Sequence, residues 1–279
     1  MFTTTRIITA IATVAMLSSC GGGETKPSLD EDREITTDTV DAAVSLDIGI
    51  MRAKMPMASE LGKKLAAAGV SYNASILNPS GKAGSYSTKY QQALAMGAYG
   101  TDLGYACAFK QSADATAYLG AMGNLANGLG IAVVFNKEFV EKIIKAIPST
   151  DSMDIMIDKA YDRAERNMQS NARVQSAVLM IAGGWIEGMC VTIEQVNAKQ
   201  DDKKMADLYH DLYENCSSVS YVYEMMDAYK GNADIEKFRT DLNPAYNIIN
   251  AVGGNPQFGK GAQFDELYKA LKELRAKLY

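Results

Sequence analysis

The chain has 279 residues, 47% of them hydrophobic and 22% charged, and a formal net charge of −5 at pH 7. That balance excludes the basic surface a nucleic acid requires and argues against electrostatic attraction to anionic lipid. A single histidine, His210, excludes zinc sites that need two or more and speaks against a Ser-His-Asp arrangement.

Residues 1–19 read as an export signal. Arg6 supplies the positive charge, and Ile7 to Leu17 form an apolar run shorter than the roughly 20 residues a spanning helix needs. Leu17-Ser18-Ser19-Cys20 then resembles the lipobox of bacterial lipoproteins. On this reading the signal is removed and Cys20 carries the lipid, each buried methylene contributing about 0.8 kcal/mol of membrane affinity. Gly21 follows Cys20. By resemblance to lipoprotein sorting rules, Gly rather than Asp there points to the outer membrane, facing the periplasm or the cell exterior. Residues 20–37, rich in Gly and acidic side chains, cannot bury a core and read as a flexible tether. Residues 38–279 read as a single all-helical domain.

Along that domain nearly every segment has helical period. Met57 to Ala68 forms a helix closed by Gly69, and Ser71 to Ser87, with Asn78-Pro79-Ser80-Gly81, reads as a loop. Helices follow over Thr88–Lys110 and Ser112–Leu129, the second closed by Gly130. Asn136 caps a helix whose apolar face is Phe139, Val140, Ile143, Ile144 and Ile147, and Pro148 stops it. Thr150 or Asp151 opens the next, which runs to about Ser170. Asn171–Lys199 and Asp201–Tyr229 each carry a clean seam. Asn243-Pro244 separates two shorter helices, Ala233–Leu242 and Tyr246–Val252, and 253–261 is a loop. The last helix presents Phe264, Leu267, Tyr268, Leu271, Leu274 and Leu278. No run keeps period 2. The expected fold is all-α, about eight helices packed as antiparallel hairpins in a bundle or short superhelical array, with no sheet.

Cys107, Cys190 and Cys216 lie in apolar helical stretches and read as buried small hydrophobes. One disulfide among them stays open.

Two stretches hold unusual residues. In Met96–Cys107, Gly97, Gly100, Gly104 and Cys107 fall on one stripe of a helix that also carries Tyr99 and Asp102. In Ala182–Cys190, Gly184 and Gly188 flank Trp185 and Glu187. Gly inside a helix costs about 1 kcal/mol against Ala. Close approach of a second helix is the simplest reason to keep it there, and a concave wall against a ligand is the alternative. Trp185 reads as core. Glu187 reads as edging into solvent, and a buried Glu187 or Asp102 would need a partner such as Arg163, Arg166 or Arg173. If both carboxylates faced one pocket, one would carry a raised pKa and serve as an acid. The two stretches also echo each other: Ala98-x-Gly100-x-x-x-Gly104 has the spacing of Ala182-x-Gly184-x-x-x-Gly188.

Ala74-Ser75-Ile76-Leu77-Asn78-Pro79, Gly97 to Tyr105, Tyr118-Leu119, Leu129-Gly130-Ile131 and Gly183 to Gly188 together resemble a group of helical lipoproteins common in Bacteroidota, over about residues 50 to 200. The resemblance implies a helical domain on an envelope anchor and carries no activity with it. No catalytic residue, cofactor or metal site is assigned. Tyr99, Asp102, Trp185 and Glu187 are the candidate ligand or packing site. The expected function is an outer-membrane lipoprotein without enzymatic activity that binds an envelope protein or a small ligand. The alternative is a hydrolase acting on glycan or cell wall through Asp102 and Glu187.

Overall fold

In the computed structural model the described residues are 58–147, 150–170, 173–198 and 205–279. The signal segment, Cys20 and the tether lie outside them. Ten α-helices and three 3-10 turns, with no strand, make up the described residues. The helices are α1 (Ala58–Ala67), α2 (Lys89–Ala108), α3 (Ser112–Leu129), α4 (Lys137–Ala146), α5 (Thr150–Ser170), α6 (Val174–Ala198), α7 (Ala206–Ser217), α8 (Val219–Asp227), α9 (Ala233–Gly253) and α10 (Ala262–Leu278). The all-α class is as the sequence indicates.

Local chemistry sets most of the ends. Thr88 accepts from the Gln91 amide while Gln91 reaches back to the Thr88 amide, a reciprocal cap that starts α2. Gly130 closes α3 at φ 71°, where only glycine sits without strain. The predicted cap at Asn136 is present, its side chain accepting from the Phe139 amide.

Three elements differ from the sequence reading. The stretch 71–87 contains two 3-10 turns, Ala74–Ile76 and Ser80–Ser85. Residues 233–253 form one helix that runs through Pro244. Proline in a helix interior costs about 3 kcal/mol. Here both Pro244 and Thr240, whose carbonyl loses its partner, face solvent, while Phe238, Leu242, Ala245 and Ile249 stay buried on the other side. Burial of that face outweighs the missing bond. Conversely, the seam over 201–229 breaks into α7 and α8 at Ser218. The Asn215 carbonyl accepts from the Ser218 amide at 3.2 Å and from the Trp185 indole at 3.1 Å. With that acceptor captured from outside, the chain tightens and the ladder stops.

The buried apolar residues from Leu61 to Leu278 form one continuous core. Its axis is the pair α2 and α6, the most extensive helix contact in the fold. Partners advance together along both helices: Gly97 meets Met180 and Gly184, Thr101 Oγ1 donates to the Gly184 carbonyl, and Tyr105 meets Gln195. The central pair is therefore parallel, joined by the long excursion through α3, α4 and α5. Around it, α2 and α3 run antiparallel, with Lys89 reaching the Gly128 carbonyl, and so do α9 and α10, where Lys277 meets Asp241 and Gln263 meets Asn255. Helix α6 is long and apolar enough to cross a membrane, but 83% of its most apolar window is buried among other helices.

Candidate functional site

The four candidate residues divide into a trio and an outlier. Tyr99, Asp102 and Glu187 converge where the 71–87 segment lies across α2 and α6, and Tyr99, Asp102 and Glu187 have no exposed surface. Trp185 points to the other side of α6, toward Asn215.

The converging residues hold the chain at Asn78-Pro79. Asp102 Oδ2 accepts from the Asn78 amide at 3.2 Å and from its side-chain nitrogen at 3.3 Å. The Tyr118 hydroxyl donates to the Asn78 carbonyl and the Tyr99 hydroxyl to the Pro79 carbonyl, both at 2.9 Å. One turn further along α2, the Tyr105 hydroxyl accepts from the Asn73 amide at 3.0 Å and from Gln195 Nε2 at 2.6 Å. Tyr72 stacks on Tyr105 with ring centroids 5.2 Å apart. A segment with no regular partners of its own thus has its backbone groups satisfied by side chains from three helices, as buried polar groups require. Tyr105→Phe is expected to lower unfolding free energy by about 1–3 kcal/mol, because the hydroxyl serves the buried Gln195 amide and the part-buried Asn73 amide. Hydrogen exchange at the Asn73 amide should rise with it, and unchanged protection there would contradict this arrangement.

Glu187 does not edge into solvent, and none of Arg163, Arg166 or Arg173 is its partner. Arg275, from the last turn of α10, binds it with two parallel bonds, Nε to Oε2 at 2.9 Å and Nη2 to Oε1 at 2.5 Å. This paired geometry is the strong form of a carboxylate–guanidinium contact. Asp102 and Glu187 do meet. Burial pushes the Asp102 carboxyl well above its ordinary range, and the Glu187 charge pushes it further, with a hydrogen bond between the two. Burial also raises Glu187, while Arg275 pulls it back down. The Oδ1 of Asp102 is buried and accepts no hydrogen bond, which suits the oxygen that carries a proton toward Glu187. Burial and the Glu187 charge thus favour the neutral form of Asp102, and Arg275 favours the anion of Glu187.

The glycines explain how α2 and α6 come close enough. A Cβ at Gly97 would lie 1.8 Å from the Met180 carbonyl oxygen, and one at Gly183 would lie 2.2 Å from the Leu94 carbonyl oxygen. Tyr161 completes the crossing by donating to the Gly97 carbonyl at 2.7 Å. The echoing stretches therefore pack on each other. Gly188, expected among the tight contacts, is roomy: its Cβ would meet only Leu61 Cδ2 at 3.5 Å.

Beside the trio is an open groove of about 270 Å³. Residues 77–82 form one wall, α10 the other, and Cys190, Ile193 and Glu194 of α6 the floor. None of Tyr99, Asp102, Trp185 and Glu187 lines it. Asn78 and Arg275 do, and they stand between the groove and the carboxylates.

Compared with known proteins, the chain matches no protein-family model, no curated protein and no solved structure. Among the described residues no group of three His, Cys, Asp or Glu is placed to hold a metal ion. Cys107, Cys190 and Cys216 are buried. Sequence reasoning missed Arg275, which lies 88 residues from its partner and looks like Lys269, Lys272 and Lys277 on the same helix. Asn78 was visible only as part of a turn.

Proposed function

We propose that this chain is a binding module without enzymatic activity, held to the outer membrane of a bacterial envelope by lipid on Cys20. The observation that supports binding over catalysis is the closure of Asp102 and Glu187. An acid acting on a glycosidic bond must reach the leaving oxygen, within about 3 Å. Both carboxylates are instead without exposed surface and taken up by Asn78, Arg275 and each other. The envelope address rests on the charge, apolar run, small pair and Cys20 of residues 1–20, and on the resemblance to helical lipoproteins of Bacteroidota.

Two measurements test this reading. Mass spectrometry of native material is expected to find a diacylated Cys20 at the mature N-terminus; an intact leader or another start would remove the anchor. The tagged, lipidated chain purified from its own envelope is expected to bring a stoichiometric protein or a retained small molecule. It is expected to release no reducing ends from cell-wall glycan, and release that disappears with Glu187→Gln would replace the binding module with the hydrolase.

A further inference from the structure

The groove between residues 77–82 and α10 faces solvent and carries opposed cations on an apolar base. Lys82 stands on one wall; Lys272 and Arg275 stand on the other. Leu77, Pro79 and Ala276 supply the apolar surface that the groove exposes. Among the described residues, the Lys82 ammonium has no carboxylate partner. Arg275 spends Nε and Nη2 on Glu187 and keeps Nη1, on the same planar fork, for another acceptor. The acidic member of the lining, Glu194, is already engaged by the Tyr268 hydroxyl at 3.1 Å and by Lys272 at 3.9 Å.

Charge balance behind the groove matters as much as its lining. Two ionised carboxylates there would cancel Arg275 and leave negative charge at the base. With Asp102 neutral, Glu187 and Arg275 compensate each other, and among the remaining ionised side chains of the lining Lys82 and Lys272 outnumber Glu194. The wall is also preset. Asn78 and Pro79 are fixed by Asp102, Tyr118 and Tyr99, so no loop ordering opposes entry of a ligand.

We propose that this groove binds a small amphiphilic anion, its carboxylate or phosphate between Lys82, Lys272 and Arg275 and its apolar part on Leu77, Pro79 and Ala276. This rests on the binding-module reading and specifies its ligand class. The two head groups share the chemistry of multiple acceptor oxygens that match a guanidinium edge and ammonium donors. A volume of about 270 Å³ is just below the usual range for drug-sized ligands, which suits a head group with a short chain.

The test uses the full chain in nonionic detergent, with hexanoate, hexyl phosphate and hexanol as probes followed by ligand-observed saturation-transfer NMR. At least one anion is expected to bind ten-fold more tightly than hexanol, and comparing the two anions tells which head group is preferred. The double variant Lys82→Ala, Lys272→Ala is expected to lose that ten-fold preference with an unchanged melting temperature, since both lysines are exposed. Equal binding of hexanol and both anions, no binding of any probe, or an anion preference that survives in the double variant would each overturn the proposal. Such a failure leaves the binding module itself intact, because co-purification of a partner reads it independently.

Discussion

Glu187→Gln is expected to lower the unfolding free energy by about 3 kcal/mol, the lower end of the range for breaking a buried pair, because it leaves the partly buried Arg275 guanidinium, 18% exposed, without a counter-charge. Asp102→Asn is expected to change it by less than about 1 kcal/mol at neutral pH. The asparagine amide can donate to Glu187 as the protonated acid does, and its oxygen can still accept from Asn78. Two carboxyl groups in contact thus respond very differently to nearly isosteric changes, because one is neutral and the other charged. Urea unfolding of both variants decides the matter, and equal losses would mean the proton is misassigned.

The same assignment fixes a pH dependence. Asp102 is raised in the folded chain above its unfolded value. Between those two values the native state holds a proton that the unfolded state has released. Stability therefore falls as pH rises through that window, since the slope follows the difference in bound protons. The contribution is fully present below the ordinary carboxylate range and is lost once Asp102 ionises beside Glu187. Asp102→Asn is expected to remove this decline and to become more stable than the parent chain at the alkaline end. A decline of equal steepness in the variant would sink the neutral-acid reading.

Gly97→Ala and Gly183→Ala are expected to cost about 3 kcal/mol each or more, at or beyond the upper range for overpacking. At both positions the obstacle is a backbone carbonyl on the facing helix, and no rotamer change moves it. Gly188→Ala, one helical turn from the crossing, is expected to gain about 0.5–1 kcal/mol, because it meets ordinary contact distances and improves helix propensity. Gly100→Ala should fall between these limits: its obstacle is the Tyr161 hydroxyl at 2.1 Å, a side-chain end that can swing away at the expense of its bond to the Gly97 carbonyl. Thermal unfolding of the four variants checks the order. If Gly97→Ala and Gly188→Ala behaved alike, the close parallel approach of α2 and α6 would be wrong.

The candidate site was legible in sequence as composition and not as geometry. Two glycine-rich apolar stretches each carrying one carboxylate announce a special contact, because Gly and buried Asp or Glu are both expensive inside a helix. That Asp102 and Glu187 touch, while Trp185 does not join them, depends on the rotation of α6 against α2. Periodicity gives a helix one apolar face, but α6 is apolar nearly all round, so its pattern selects no single direction for Trp185 or Glu187. Gly188 misled for the same reason: a small residue permits close approach without saying whether a neighbour uses it.

Pro244 and Ser218 show the reverse error. Local propensity places a break at Pro244, and burial of the flanking apolar face carries the helix through. It places none at Ser218, and the Trp185 indole, 30 residues away, takes the carbonyl there.

The sequence by itself determined the all-α class and most helix ends, because periodicity and capping side chains are local patterns. Only the tertiary structure decided the parallel pairing of α2 with α6, the meeting of Asp102 with Glu187 and the arrival of Arg275 from α10. Those depend on which distant groups share a desolvated space, and a protonation state belongs to that space before it belongs to any residue.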